Sequence, residues 1–304
     1  MDINFEYYKI FYYVARYRNI TKAATALGSS QPNVTRVMKL LETQLNCRLF
    51  IREARGISLT EEGERLYAHV EAACRHLLDA QEEISLRGPQ GCGTVEIGTT
   101  ETALHLFLIN VLRDFKLEYP GIRLRIHNHT TPETIKCLVG GRVDLALITT
   151  PFEAPETVSC VKVLDFEEIL VGGTQYAGLA EKAMELEDVR RYPWIGLGRG
   201  STTYELYKNF FIENRLDPEP DMEVETSGIM LPLIENNLGI GFVPQKLAMP
   251  LLEEGKLVHI RLGCGIPGRA ILIATDRGRG RSPAADTFYK YITGRVQLSC
   301  AREA

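Results

Sequence analysis

The sequence predicts an α/β multidomain protein with an N-terminal winged helix-turn-helix, a long linker helix, and a C-terminal body of alternating strands and helices. Three observations carry this reading. Two short helical patterns meet at a tight glycine turn at Gly28, an apolar stripe repeats at spacings of four and three from Leu66 to Ile84, and from Gly93 onward short apolar runs alternate with amphipathic segments. A chain of 304 residues is too long for one comfortable core, and an apolar fraction of 45% with 24% charged residues excludes disordered and fibrous classes.

At the amino end, Phe5, Tyr8, Phe11, Tyr12 and Ala15 fall at helical spacing, so residues 4–17 read as an amphipathic helix. Asn19 can cap a second, short helix over residues 20–27, which Gly28 closes. Ser30 can cap a third. Pro32 then occupies the first turn, where a missing N–H costs nothing, and Val34, Val37, Leu41 and Leu45 form the buried stripe. The opposite face shows Gln31, Asn33, Thr35, Arg36 and Lys39, with no carboxylate in the first turn. Carboxylates there would favour the helix dipole but would be repelled by a nucleic acid. Amide and guanidinium groups can instead pair with base edges, and lysine or arginine can neutralise phosphates.

Charge agrees with this assignment. Residues 1–58 hold nine lysines and arginines against four acids, so with a formal net charge of −4 the rest of the chain carries −9. A basic head on an acidic body suits a polyanion partner for the head alone. After the third helix, two short strands over residues 48–51 and 57–59, around a turn at Ala54, Arg55 and Gly56, make a small wing bearing Arg52 and Arg55.

Thr60, Glu62 and Gly63 open a helix over residues 61–87, about 40 Å long at ~1.5 Å per residue. Leu66, Val70, Ala73, Leu77, Ala80 and Ile84 form its coiled-coil seam. Such a stripe can also pack on its own domain, but its narrowness and charged flanks favour self-association. "RGPQGCG" then breaks the pattern as a linker.

In the body, "TVEIGTT" reads as a strand, residues 103–118 as a helix, 122–128 as a strand, 131–139 as a helix and "VDLALITT" as a strand. A second series runs from residue 159 to 262, and "RAILIAT" with a closing helix over 284–296 returns to the first unit. Two crossings between lobes are therefore expected, near Cys160 and near residues 263–268, with a largely parallel sheet.

The first 65 or so residues strongly resemble the winged helix-turn-helix of LysR-type transcriptional regulators. The resemblance rests on Ala23-Ala24, Leu27, Ser30-Gln31-Pro32, Val34-Thr35-Arg36, Leu40-Leu41-Glu42, Leu45, Arg48-Leu49-Phe50, Arg52 and Leu59-Thr60-Glu61-Glu62-Gly63 at unbroken spacing. Further on, "VEIGTT", "YPGIRLRI", "GRVDLALIT" and "NNLGIGFVP" resemble the effector domain of that family more loosely. The resemblance implies heads joined as a homodimer by the long helix, usually assembled into a homotetramer, and a two-lobed effector domain like a periplasmic binding protein. It implies double-stranded operator DNA and a small-molecule effector as partners, with RNA polymerase a further candidate, and neither cofactor nor metal nor membrane. Ser30, Gln31, Pro32, Asn33, Thr35, Arg36 and Lys39 are then expected at DNA, with Arg52 and Arg55 on the wing. Thr35 and Asn33 depart from the family's usual serine and small residue, which leaves the target sequence open. The implied divisions are a DNA-binding domain over 1–60, a dimerisation helix over 61–87, a hinge over 88–93 and an effector domain over 94–304. Lobe I takes about 94–160 and 267–304, and lobe II about 161–266.

Thr99, Thr100 and Glu101, then Thr149 and Thr150, then Ser201, Thr202 and Thr203, and lastly Thr226 and Ser227 fall at strand ends or helix starts, where ligands bind in α/β sheets. Hydroxyls beside free N–H groups suit a carboxylate or other anion, although the same residues serve as ordinary helix caps. Glu101 would repel an anion, and Arg199 could offset it. A small polar effector with at least one anionic group is expected, and the resemblance places the effector pocket at these positions.

Other chemistries lack support. "GLGRGS" has neither the GxGxxG spacing nor a GK[ST] ending, and no GxSxG or HExxH occurs, so neither nucleotide binding nor an enzyme built on the lobes is indicated. His127 and His129 have no evident third ligand, and "DRGRGRS" reads as a solvated basic loop. Cys47, Cys74, Cys92, Cys137, Cys160, Cys264 and Cys300 include no CxxC and no close pair, which argues for reduced thiols over a disulfide framework or a redox switch. The amino end has no basic leader before an apolar core and no run reaches ~18 apolar residues, so a cytoplasmic regulator is expected rather than an exported solute-binding protein.

Overall fold

A computed structural model describes residues 3–53, 56–85, 92–217 and 219–300. They fall into two compact units, one containing the described residues of 3–85 and the other those of 92–139 and 143–300.

In the first unit, α1 (Phe5–Tyr17) starts where Asn4 Oδ1 accepts the Glu6 N–H at 3.0 Å. Helix α2 (Ile20–Ala26) is capped by Asn19, whose Oδ1 accepts from Lys22 N at 3.0 Å. The turn that follows needs a φ of +60°, which Gly28 adopts without strain. Helix α3 (Gln31–Leu45) leaves from Ser30, whose hydroxyl accepts from Asn33 N. Phe11, Val14, Ala23, Val34 and Leu41 close the core between the three helices. Each large apolar side chain buried there contributes about 1.5–3 kcal/mol. Strands β1 (Phe50–Glu53) and β2 (Gly56–Leu59) form the antiparallel wing, from Phe50 opposite Leu59 to Glu53 opposite Gly56. The Glu42 carboxylate accepts from the N–H groups of Leu49 and Phe50 at 2.8 and 3.3 Å, which fastens the root of the wing to α3.

Helix α4 (Glu61–Ser85) begins at Thr60, whose hydroxyl accepts from Gly63 N at 3.0 Å. Its apolar stripe divides into two parts. Val70 is 6% exposed and Cys74 is buried, both within the head's own core, with Leu66 packed against it and Tyr67 stacked on Tyr12. Ala73 and Leu77 are exposed, Leu77 by 50%. This corrects the expected seam at Val70, which α1 already covers. The side chains of Ala80 and Ile84, like that of Arg52 and the whole of Arg55, lie outside the described residues, as does most of the expected hinge.

The second unit opens with β3 (Gly93–Thr99), α5 (Glu101–Ala103), a π-helical turn (Leu104–Leu108) and α6 (Ile109–Glu118). It continues through β4 (Ile122–Asn128), α7 (Thr131–Val139), β5 (Leu145–Thr149) and β6 (Val158–Phe166). The chain then enters a second lobe with β7 (Glu168–Gly173), two 3-10 turns, β8 (Ile195–Leu197), α8 (Thr202–Glu213) and β9 (Met222–Val224). A 3-10 turn (Ser227–Ile229), α9 (Met230–Glu235), β10 (Ile240–Pro244), α10 (Gln245–Glu253) and β11 (Leu257–Ile260) complete that lobe before β12 (Arg269–Asp276) and α11 (Pro283–Cys300) return to the first.

Lobe I is a five-stranded sheet in the order β4-β3-β5-β12-β6, in which β3 runs parallel to β4 and β5, and β12 runs antiparallel to β5 and β6. Lobe II holds the sheet β10-β7-β11, antiparallel throughout, and a short parallel pair β8-β9. The expected parallel pairing thus holds for one side of lobe I and for β8-β9, and not for the sheet β10-β7-β11. There the connection from β7 to β8 runs through 3-10 turns, not a crossover helix. The outward crossing also lies later than Cys160. Strand β6 stays in the lobe I ladder from Val158 opposite Asp276 to Phe166 opposite Arg269, so the chain changes lobes between Phe166 and Glu168. Val95, Ile97, Phe115, Ile271 and Phe288 fill the core of lobe I, while Trp194, Tyr207, Phe211 and Phe242 form an aromatic cluster in lobe II.

Candidate functional site

Helix α3 turns Val34, Val37, Met38 and Leu41 inward. Ser30, Gln31, Pro32, Arg36 and Lys39 are exposed on the other side, and Asn33 and Thr35 are half-buried between the two faces. Asn33 belongs to a short relay: its Nδ2 donates to Ser29 Oγ at 3.0 Å, while its Oδ1 accepts from Arg36 Nη2 at 3.1 Å. One guanidinium edge is therefore oriented before any ligand arrives. No acid occupies the first turn, and neither Arg36 nor Lys39 forms an ion pair among the described residues. Two uncompensated cations and a row of amide and hydroxyl tips can meet phosphates and base edges at once.

In the second unit, the carboxyl ends of lobe I strands face the helix starts of lobe II across a cleft of about 570 Å³. Thr100, Glu101, Thr149, Ser201, Thr202, Thr203 and Thr226 line it, as the strand-end rule anticipates. Thr99 does not. It is fully buried and its hydroxyl donates to the Thr100 carbonyl at 3.0 Å. Thr150 also lies away from the cleft, where its hydroxyl accepts from Ala270 N at 2.8 Å beside the lobe crossing. The cleft gains Asn128, His129, Thr130 and Thr131, which the sequence reading passed over although the same rule at the end of β4 finds them. Glu133 and Glu225 stand on its exposed walls.

Caps organise these walls. Ser201 Oγ accepts from Tyr204 N at 3.1 Å at the start of α8, and Thr100 Oγ1 accepts from Ala103 N at 3.3 Å at the start of α5. "GLGRGS" is accordingly the lead into a helix cap. Glu101 does not simply repel an anion, as expected from sequence. Its Oε2 accepts the Gly228 N–H of lobe II at 2.8 Å, and the neighbouring hydroxyls of Thr102 and Ser227 lie 3.3 Å apart. A Cβ on Gly228 would fall 2.1 Å from Glu101 Oε1, so the carboxylate can hold this position only against glycine. Arg199 pairs with Glu219 at 2.9 Å and so does not offset Glu101.

Behind the cleft lies a feature that sequence reasoning missed. Arg269 Nη1 donates to Glu168 Oε1, Nε donates to the Thr150 carbonyl at 2.8 Å, and Nη2 donates to the hydroxyls of Thr149 and Thr203, each at 3.0 Å. Tyr207 donates its hydroxyl proton to the other Glu168 oxygen. This buried hub sits where both crossings between lobes begin or end, and two of its acceptors, Thr149 and Thr203, are also cleft residues.

Elsewhere, His127 bonds Glu96 at 2.7 Å, and no group of three or more metal-ligating side chains occurs among the described residues. Arg281 of the basic loop stacks over Tyr289 at 4.1 Å. Cys47, Cys74, Cys92, Cys137, Cys160 and Cys264 are free thiols, and burial pushes those of Cys74, Cys160 and Cys264 upward from the ordinary thiol range. Among the described residues, no helix is long and apolar enough to cross a membrane.

Known protein families match both parts of the chain. Residues 5–64 match the family model "Bacterial regulatory helix-turn-helix protein, lysR family", and residues 88–297 match "LysR substrate binding domain". An uncharacterized HTH-type transcriptional regulator of Bacillus subtilis, YybE, is 25% identical over 95% of this chain and 98% of its own length. A probable RuBisCO transcriptional regulator of Cyanidium caldarium is 28% identical over 90% of this chain and 88% of its own. Among solved structures, full-length CbnR complexed with its target DNA superposes with a TM-score of 0.70 at 21% identity, covering 97% of this chain and 100% of that one.

Proposed function

We propose that this chain, which belongs to the LysR family of bacterial transcriptional regulators, reads its operator with α3 and adjusts its output through a small anionic effector held between the lobes. Gln31 and Arg36 supply base contacts, with Asn33 positioning Arg36, while Lys39 and the wing arginines Arg52 and Arg55 meet the phosphate backbone. Ser30, Pro32 and Thr35 shape the entry of the helix into the major groove.

The observation that carries the DNA reading is the acid-free face of α3 with Arg36 and Lys39 unneutralised. Fluorescence anisotropy with fragments of the source genome tests it. Tight binding that weakens steeply with salt is expected, because phosphate contacts release counterions. Indifference to duplex DNA at low ionic strength would overturn the reading.

Homodimerisation through the exposed part of α4, at Ala73 and Leu77, brings two heads to two half-sites. Assembly into a tetramer and contact with RNA polymerase extend the same reading. In the second unit, the caps at Thr100 and Ser201 and the hydroxyls of Thr131, Thr149, Thr202 and Thr226 converge on one cleft, which supports an anionic group on the effector. The ligand is bound and released without chemistry, and the DNA partner places the protein in the cytoplasm. Stabilisation against heat by carboxylates, and not by cations, is the expected screening result.

A further inference from the structure

The geometry points to an effector with two parts: an anionic head in the cleft and an apolar arm, of the size of a phenyl ring or a branched chain of about six carbons, seated in an annex behind it. The inference rests on the cleft being the effector site.

The annex measures about 190 Å³ and shares Thr102, Leu197, Thr203 and Ser227 with the cleft, so the two spaces have a common wall. Its sides are apolar. Met230, Phe242 and Val243 are almost wholly buried, Leu231, Leu247 and Pro244 join them, and His105 stands at the exposed edge. An apolar cavity of ~150 Å³ stays dry and admits benzene. A space slightly larger, divided from the cleft only by this shared wall of side chains, is therefore of a size to take such an arm.

The floor chemistry favours an apolar arm over a polar one. Arg269 and Glu168 line the annex, but four of the five guanidinium N–H groups already have acceptors, and both oxygens of Glu168 accept, one from Arg269 and the other from Tyr207. A hydroxyl or amide placed against them would lose its water without gaining a comparable partner. Carbon loses nothing there. The hydroxyl of Thr203, held by Arg269, stands on the common wall of both spaces, so head and arm meet beside the hub.

The test is calorimetric titration of the full-length protein with straight-chain carboxylates from acetate to decanoate and with 3-phenylpropanoate. Leu231→Trp and Leu247→Trp serve as two separate annex-filling variants, and Ser201→Ala perturbs the head site. Affinity is expected to rise roughly fourfold for each methylene until the arm fills the annex and then to level off. Either tryptophan variant is expected to return the longer acids and 3-phenylpropanoate to the affinity of acetate while leaving acetate unchanged. Affinity independent of chain length, or a gain that survives both tryptophan variants, would overturn the proposal. The matching alkanols separate the two readings. If they show the same length dependence, lost in the tryptophan variants, while carboxylates have no advantage and Ser201→Ala has no effect, the annex stands and the anionic head falls.

Discussion

Arg269, the first residue of β12, reaches Glu168, the first residue of β7, with Nη1 2.5 Å from Oε1 and both side chains almost wholly removed from solvent. The two residues mark the ends of the segment that crosses to lobe II and returns, so their ion pair closes the base of that lobe. Breaking one partner leaves a buried charge alone, whereas removing both leaves only neutral groups, the Thr149, Thr203 and Tyr207 hydroxyls and the Thr150 carbonyl, without their partners. Arg269→Met is expected to destabilise the protein by about 3–5 kcal/mol, and the double substitution Arg269→Met with Glu168→Leu by markedly less. Urea denaturation of the three proteins decides this, and equal losses in the single and double variants would contradict it.

On α3, discrimination and affinity are expected to separate. Arg36→Ala and Gln31→Ala should each cost about 1–3 kcal/mol on the preferred operator and little on random duplex. Lys39→Ala should weaken both by the same factor and lower the salt slope by about one. Asn33→Ala leaves Arg36 in place but unheld, so it should resemble a weaker Arg36→Ala. Binding isotherms at several salt concentrations, on both duplexes, distinguish these patterns.

Along α4, position decides outcome. Leu77→Glu falls on an exposed site, so the head should remain folded while the dimer dissociates in sedimentation. Val70→Glu places a charge in the head's own core and should unfold the head, seen as lost helical ellipticity. If Leu77→Glu leaves the oligomer intact, the seam assignment is wrong.

The latch between Glu101 and Gly228 gives a steric prediction. Gly228→Ala puts a methyl group onto the Glu101 carboxylate, which should swing aside and give up its bond to the residue 228 N–H, whereas Glu101→Gln keeps an acceptor and the bond. Hydrogen exchange should show a faster amide at residue 228 for the alanine alone.

The thiols offer a check on redox chemistry. Burial raises the folded-state values of Cys74, Cys160 and Cys264, so the thiolate fraction at pH 8 is smaller in the folded than in the unfolded protein. A disulfide-exchange reagent should therefore reach exposed Cys92 first and these three slowly, with urea abolishing the difference. Rapid oxidation of the folded protein by peroxide to a defined disulfide would revive a redox role.

Local signals proved the most readable. Caps at Asn19 and Ser30, the glycine turn and the inward stripe of α3 depend on neighbours within a few residues, and each stands where spacing places it. Periodicity alone could not say what a stripe packs against, which is why Val70 was assigned to a partner when α1 already covers it. The antiparallel sheet of lobe II is hidden because β7 pairs with β10 and β11, which follow it only after α8 and α9, so no local signal gives their direction. The ion pair of Arg269 and Glu168 was invisible for another reason: its partners are 101 residues apart and neither lies in a motif.

The stacking of Tyr67 on Tyr12 and the burial of Val70 and Cys74 weld the first half of α4 to the three-helix core. A head cannot swivel on its own stem. In a pair of such molecules, the spacing and tilt at which two operator halves are gripped would then be dictated by how the stems cross, and any signal that changes that crossing would be delivered to the DNA undamped.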